Sequence, residues 1–181
     1  MADKEQVAPV VVSIEPLVET DIDSLDPILE QHLRDRNTGE FLVSEIEEIK
    51  GYMRGEKDDC GRSRTYFVAK NPEGEVLGCM AYSEPDPDML AHFKTNVEES
   101  AELLNAFVLS SVYRGGGIGR KLFNAICEAV RREGKRQLLV HSGPRYKGSW
   151  GFYDKMYDVS CGFLIGKYGK GGDAKTWRKR L

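Results

Sequence analysis

The segment from Glu102 to His141 narrows what this chain can become more than any other. An apolar run, ELLNAFVL (residues 102–109), passes through Ser110-Ser111-Val112-Tyr113 into Arg114-Gly115-Gly116-Gly117-Ile118-Gly119. From Gly117 onward Ile118, Leu122, Ile126 and Val130 recur every four positions, and Phe123 and Ala129 widen the stripe. That spacing predicts an amphipathic helix, and Gly134 is a natural stop for it. The run QLLVH (137–141) predicts a further strand. A strand apolar enough to be buried on both faces, a glycine turn, a helix and a strand together make a βαβ-like unit.

The glycines carry a chemical implication. Without Cβ atoms the backbone comes close to a ligand. The first N–H groups of the helix lack intrahelical acceptors, and the helix dipole adds about half a positive charge there. Such a turn suits a phosphate, most naturally a pyrophosphate; the alternative is a turn that merely joins strand to helix. A Walker A loop is excluded, because Arg120-Lys121-Leu122 follows the last glycine where Gly-Lys-Ser/Thr is required. The dinucleotide pattern G-x-G-x-x-G is excluded as well, because counting from Gly115 its last position, 120, is Arg. The segment does match R-x-x-G-x-G.

The rest of the chain supplies the surroundings. Residues 7–14 read as a strand ending near Pro16. Residues 21–34 read as a helix capped by Thr20 or Asp21, and residues 44–54 as a helix opened by a Ser44/Glu47 capping box. Residues 64–69 and 76–82 form a hairpin about the turn NPEGE. The proline-interrupted stretch from Glu84 to about Ser100 reads as loop with room for a short helix. Residues 147–156 predict another short helix, and residues 161–165 and 176–181 predict closing strands. These elements describe one mixed α/β domain, residues 1–181, around a twisted central sheet.

Composition sets the outer bounds. The chain has 181 residues, 40% hydrophobic and 30% charged, with a formal net charge of −3. That favours a packed core over disorder and argues against nucleic acid as the main partner. No apolar run reaches the roughly 20 residues of a membrane span, and the start MADKEQ lacks an apolar signal core, so a membrane partner is not expected. The four cysteines form no CxxC pair, and His32, His92 and His141 lie scattered without an HExxH. Reduced thiols in a cytoplasmic setting and no metal are the expectation.

Tyr113 to Gly119 (YRGGGIG), preceded by Phe107-Val108-Leu109, resembles motif A of the GNAT superfamily of acyl-CoA N-acyltransferases. GSWGFY (148–153) followed by Asp154-Lys155 resembles the family's motif B. Tyr168-Gly169 and Gly172-Asp173-Ala174 are similar to the closing hairpin of many members. The sequence departs from the family at Tyr146, often Asn, and at Ser149, often Ala, and lacks the usual proline before motif A. The resemblance implies an α/β (α+β) fold: a single GNAT-like domain with a twisted mixed sheet of about six to seven strands, flanked by helices on both faces.

It also implies a reaction. Acetyl-CoA would lay its pyrophosphate on the backbone of Gly115, Gly116, Gly117, Ile118 and Gly119. Arg114 and Arg120 would add charge, or stand as solvated surface residues. The pantetheine arm would pair with the strand ending at Phe107, Val108 and Leu109, and a backbone N–H near Leu109 would stabilise the oxyanion. Glu102 is the candidate base, or else a surface carboxylate opening a strand. Tyr153 is the candidate acid for the departing thiolate, or else a core aromatic beside Phe152 and Tyr157.

The expected activity is N-acetyl transfer to the primary amine of a small cationic molecule. Glu84, Asp86, Asp88, Glu98 and Glu99, with Glu45, Glu47, Glu48, Asp58 and Asp59, would draw such an amine, or form only a solubilising face. A protein or peptide N-acetyltransferase and a non-catalytic acyl-CoA-binding module are the alternatives. A homodimer is compatible with the resemblance.

Overall fold

The structure, a computed structural model, describes residues 10–109 and 116–181. Among these lie seven strands: β1 (Ser13–Pro16), β2 (Thr65–Lys70), β3 (Val76–Ser83), β4 (Ser100–Val108), β5 (Gln137–Ser142), β6 (Val159–Leu164) and β7 (Ala174–Arg180). Five α-helices accompany them: α1 (Asp26–His32), α2 (Val43–Met53), α3 (Pro87–Phe93), α4 (Ile118–Arg132) and α5 (Trp150–Met156). The sheet order is β1-β2-β3-β4-β5-β7-β6, an α/β fold on a mixed sheet. The chain forms two compact units, Met1–Ala81 with Asn105–Ile126, and Tyr82–Leu104 with Cys127–Leu181.

In the first unit β1 pairs antiparallel with β2 from Ser13↔Lys70 to Pro16↔Phe67. Pro16, which has no N–H to donate, is tolerated because β1 is an edge strand. Asn71 to Glu75 closes the β2–β3 turn: the Asn71 N–H donates to Glu75 O at 3.0 Å, and Gly74 supplies a φ of +86°. The helix expected over 21–34 tightens at its start into two 3-10 turns, Glu19–Asp21 and Asp23–Leu25. α1 begins only at Asp26, with Pro27 in its first turn, where the missing N–H costs nothing. Its apolar pattern holds regardless, since Ile22, Leu25, Ile28, Leu29 and Leu33 are all buried. The expected Ser44 cap is not formed. The Leu42 N–H bonds Leu33 O and the Ile46 N–H bonds Leu42 O, so α2 starts at Val43 with Ser44 already inside it.

In the second unit β5 runs parallel to β4 over Ser100↔Gln137 to Glu102↔Leu139 and antiparallel to β7 along its whole length. The β4–α4–β5 order is therefore the expected βαβ unit. Asp86 caps α3, its Oδ1 accepting from the Met89 N–H at 2.8 Å. Met89 and Phe93 then pack on Leu139, with Cys161 and Leu164 against them. The helix expected over 147–156 splits into a 3-10 segment, Pro144–Ser149, and α5. The closing strands each begin two residues earlier than expected, at Val159 and Ala174.

α4 contributes to both units. Its Ile118, Leu122, Phe123, Ile126 and Val130 are at most 1% exposed, and each such side chain adds about 1.5–3 kcal/mol on burial.

Candidate active site

The expected cofactor-binding residues fall in the first unit. Arg114 and Gly115 lie outside the described residues. Gly116 is buried, and its carbonyl accepts from the Val10 N–H at 3.2 Å. Gly117 has φ +85°, and among the described residues no heavy atom lies within 4 Å of the position a Cβ would take. The turn therefore needs glycine for its backbone and leaves open space beside it. Ile118, Gly119 and Arg120 form the first turn of α4, where N–H groups lack intrahelical acceptors; Arg120 is exposed. These residues fit a pyrophosphate.

Phe107 and Val108 end β4 in the same unit, and Leu109 follows directly. The Leu109 N–H donates to Leu77 O at 2.8 Å, so the oxyanion donor expected there is already committed to β3. Alternation along a strand turns the N–H and C=O of Val108 to the opposite edge. There the Val108 carbonyl accepts from His32 Nε2 at 2.8 Å, and the His32 ring lies 5.5 Å from that of Phe107. Upstream, Asn105 adopts φ +45° within β4. Its side-chain oxygen accepts from Arg64 at 2.6 Å and from the Tyr66 hydroxyl at 2.8 Å, which holds this bend in place.

The two expected catalytic residues fall in the second unit. Tyr153 is buried on α5, its ring 5.1 Å from Trp177 and 6.0 Å from Tyr157. Burial, with Tyr146 nearby, pushes its phenol up to about 12. Trp177 Nε1 and Lys175 donate to Asp154 Oδ1 at 2.8 and 2.9 Å, fixing α5 on β7.

Glu102 is fully buried and is no surface carboxylate. Its Oε2 accepts from the Asp86 N–H at 2.8 Å, and its Oε1 lies 3.1 Å from His141 Nε2. The other nitrogen of His141, Nδ1, lies 2.9 Å from the Tyr168 hydroxyl. Asp86 Oδ2 stands 3.8 Å from His141 Nε2 and accepts from the Lys167 ammonium at 2.7 Å; Lys167 also reaches Asp88 at 2.8 Å. Burial drives the Asp86 carboxyl upward, but Lys167 and the Met89 N–H outweigh it and hold Asp86 below the usual range.

Neither His141 nor Tyr168 stood out as a site residue in the sequence. The signal that finds them is register. Glu102 opposes Leu139 in the parallel ladder, and His141, two residues on, shares the Leu139 face. Tyr168 is delivered by the β6–β7 connection, closed by its own N–H on Gly172 O at 2.9 Å. Two glycines crowd it: a Cβ on Gly143 would meet its ring at 2.7 Å, and one on Gly172 would meet its carbonyl oxygen at 2.6 Å.

Tyr153 and Glu102 share neighbours in this unit. Tyr168 and Tyr157 both lie within electrostatic range of each. Asp86, Glu102 and His141 could each offer one ligand atom to a cation, these atoms lying within 4.8 Å of one another. Lys167 already brings positive charge to Asp86.

Among the described residues no helix is long and apolar enough to cross a membrane. All four cysteines are free.

The model of the acetyltransferase (GNAT) family matches residues 14–157. An acetyltransferase of the GNAT family from Staphylococcus aureus Mu50 superposes with a TM-score of 0.66 at 11% identity, over 94% of this chain and 99% of its own. Aminoglycoside 6'-acetyltransferase type Ii gives 0.67 at 19% identity, over 93% and 96%. Ribosomal-protein-alanine N-acetyltransferase from Brucella melitensis gives 0.62 at 24% identity, over 93% and 99%. No curated protein matches by sequence. With the family model spanning most of its length and the fold shared with these structures, the chain belongs to the GNAT acetyltransferase family.

Proposed function

We propose that the protein transfers an acetyl group from acetyl-CoA to the primary amine of a small cationic molecule, by direct attack of the amine on the thioester. The observation that carries this reading is the Gly116–Gly117 turn opening onto α4. In a chain of this family, its positive φ and the open space beside it suit a backbone cradle for a diphosphate. The N–H groups of Ile118, Gly119 and Arg120 would donate to the phosphates and Arg120 would add charge, and the sequence assigns Arg114 and Gly115 to the same site.

The edge of β4 that carries the Val108 N–H is the one left for pantetheine and for the oxyanion, since the Leu109 N–H serves β3. Tyr153, held near 12, keeps its proton at neutral pH. It serves the departing sulfur as a hydrogen-bond donor, because a thiol is the stronger acid of the two.

Exposed carboxylates in the second unit, Glu84, Asp88, Glu98 and Glu99, support a cationic acceptor. The fold itself does not choose an acceptor: the neighbours above include enzymes named for an aminoglycoside and for a ribosomal protein. A protein or peptide amine is therefore the second reading.

Calorimetric titration with acetyl-CoA should show saturable binding. Thiol release should then follow with a polyamine, an aminoglycoside or lysine in preference to an N-terminal peptide. Binding without release across the whole panel would leave only a non-catalytic acyl-CoA module.

A further inference from the structure

Asn105 holds a left-handed φ of +45° inside β4, a conformation that costs an L-residue free energy and persists where the surroundings over-determine it. The surroundings here are two donors on its side-chain oxygen: Arg64 Nη1 at 2.6 Å and the Tyr66 hydroxyl at 2.8 Å. A guanidinium only donates, so the carboxamide end that faces Arg64 is the oxygen and the NH2 end is turned away. Burial raises the Tyr66 phenol, so it keeps its proton and donates as well.

Arg64 is fixed in turn. Its guanidinium lies 3.8 Å from the centre of the Tyr52 ring, and its Nη2 lies 3.8 Å from Asp58 Oδ2, which Arg62 holds at 2.8 Å. Arg64 Nε is buried and has no hydrogen-bond partner among the described residues. The Asn105 amide nitrogen has none among them either, and the residue is only half-buried. On both side chains it is an N–H, not an oxygen, that is left over. Asn105 lies in the same unit as Phe107 and Val108, on the part of β4 that the acetyl-transfer reading gives to acyl-CoA.

We propose that the Asn105 amide touches the amine substrate and selects one that carries, besides its amine, an oxygen able to accept a hydrogen bond. This deepens the acetyl-transfer reading and rests on it. The substrate class is then an amino acid or amino sugar, whose carboxylate or hydroxyl oxygen takes the Asn105 N–H. Polyamines fall outside it: their nitrogens are protonated at neutral pH and have no lone pair to offer. A site built around a donor discriminates against an analogue without the matching oxygen, because the donor is then left unpaired. The clamp by Arg64 and Tyr66 sets the amide before the substrate arrives, so little ordering is needed on binding.

Asn105→Asp is the informative variant. It keeps the size, the tolerance of positive φ and the oxygen that Arg64 and Tyr66 bind, and replaces the NH2 by a second oxygen. The quantity to measure is a ratio of kcat/KM values: that of the best oxygen-bearing amine, among lysine, an aminoglycoside and an N-terminal peptide, over that of spermidine. Wild type should favour the oxygen-bearing amine. Asn105→Asp should lower the ratio about 10-fold or more, one hydrogen bond being lost and a repulsion gained. Acetyl-CoA affinity in calorimetry should hold in that variant. Asn105→Gly keeps the backbone angle and has no amide, and should lower the ratio by less.

A merely structural Asn105 would change both kcat/KM values alike and leave the ratio in place. A wild type that prefers spermidine, or one ratio shared by all three proteins, overturns this proposal and leaves acetyl transfer standing. A wild type that acetylates no amine overturns the acetyl-transfer reading, and the proposal with it.

Discussion

His32 on α1 donates through Nε2 to the Val108 carbonyl at 2.8 Å, although 76 residues separate them. The bond ties one edge of the β4 end to a helix, while the Leu109 N–H ties the other edge to β3. His32→Ala should lower stability by about 1 kcal/mol, the usual net value of such a bond. Urea denaturation reads this as a lower midpoint at unchanged slope; an unmoved midpoint would mean that the bond contributes nothing.

Gly117→Ala meets no atom of the described residues, because none lies within 4 Å of the added Cβ. Its cost is the backbone alone, about 1–2 kcal/mol for an L-residue in the left-handed region. Gly117→Asn should cost less, since asparagine tolerates that region. Gly117→Asp should in addition weaken acetyl-CoA binding in calorimetry, by setting a carboxylate against the diphosphate. Equal affinity for the Asn and Asp variants would count against the cradle.

Gly78 is held by contact with its neighbour, not by its backbone angle. A Cβ there would lie 3.0 Å from Phe107 O, a backbone atom that cannot swing aside. Gly78→Ala should cost about 1–3 kcal/mol by forcing β3 and β4 apart. Thermal denaturation measures the loss, and a melting temperature equal to wild type would refute the close approach.

Tyr153→Phe removes one hydroxyl from a buried ring. Turnover should fall about 10-fold or more while acetyl-CoA affinity holds. Steady-state kinetics beside calorimetry separates the two, and unchanged turnover would take Tyr153 out of the mechanism.

Asp86 makes stability depend on pH. Its carboxyl is held below the usual range in the folded protein. Its contribution is therefore present in full above the unfolded value, about 3.9, and is lost as the pH falls through the lower folded value. Lys167→Met should cost about 2 kcal/mol at pH 7, by removing a charged hydrogen bond. The gap from wild type should narrow below about pH 4 as Asp86 takes up a proton. Urea midpoints between pH 3 and 7 test this, and a constant gap would show that Asp86 is not the partner that matters.

The βαβ unit was legible because Ile118 to Val130 repeat at a helical period between two apolar runs. The start of α1 was not, because the same apolar spacing suits 3-10 turns and an α-helix, and only Pro27 marks where one yields to the other. Ser44 shows the limit of a local motif. Ser44 and Glu47 fit the capping pattern, yet a long-range bond from Leu42 to Leu33 sets the helix start. The glycine turn before α4 could be read because its residues are contiguous. Glu102, His141 and Tyr168 are far apart in sequence and meet through strand register and a hairpin, which no local pattern encodes. The trace they left was a carboxylate inside an apolar strand, and its neighbour could be named only once Leu139 was known to lie opposite.

The tight fit of Tyr168 between Gly143 and Gly172 bears on how such a protein should be probed. Its pose is set by two residues that have nothing to trim, so a survey that replaces side chains with smaller ones passes over both. Only enlargement exposes them. One methyl group at Gly143 would displace the ring, and one at Gly172 the backbone that carries it, without altering the chemistry of any functional group, separating where a hydroxyl sits from what it is.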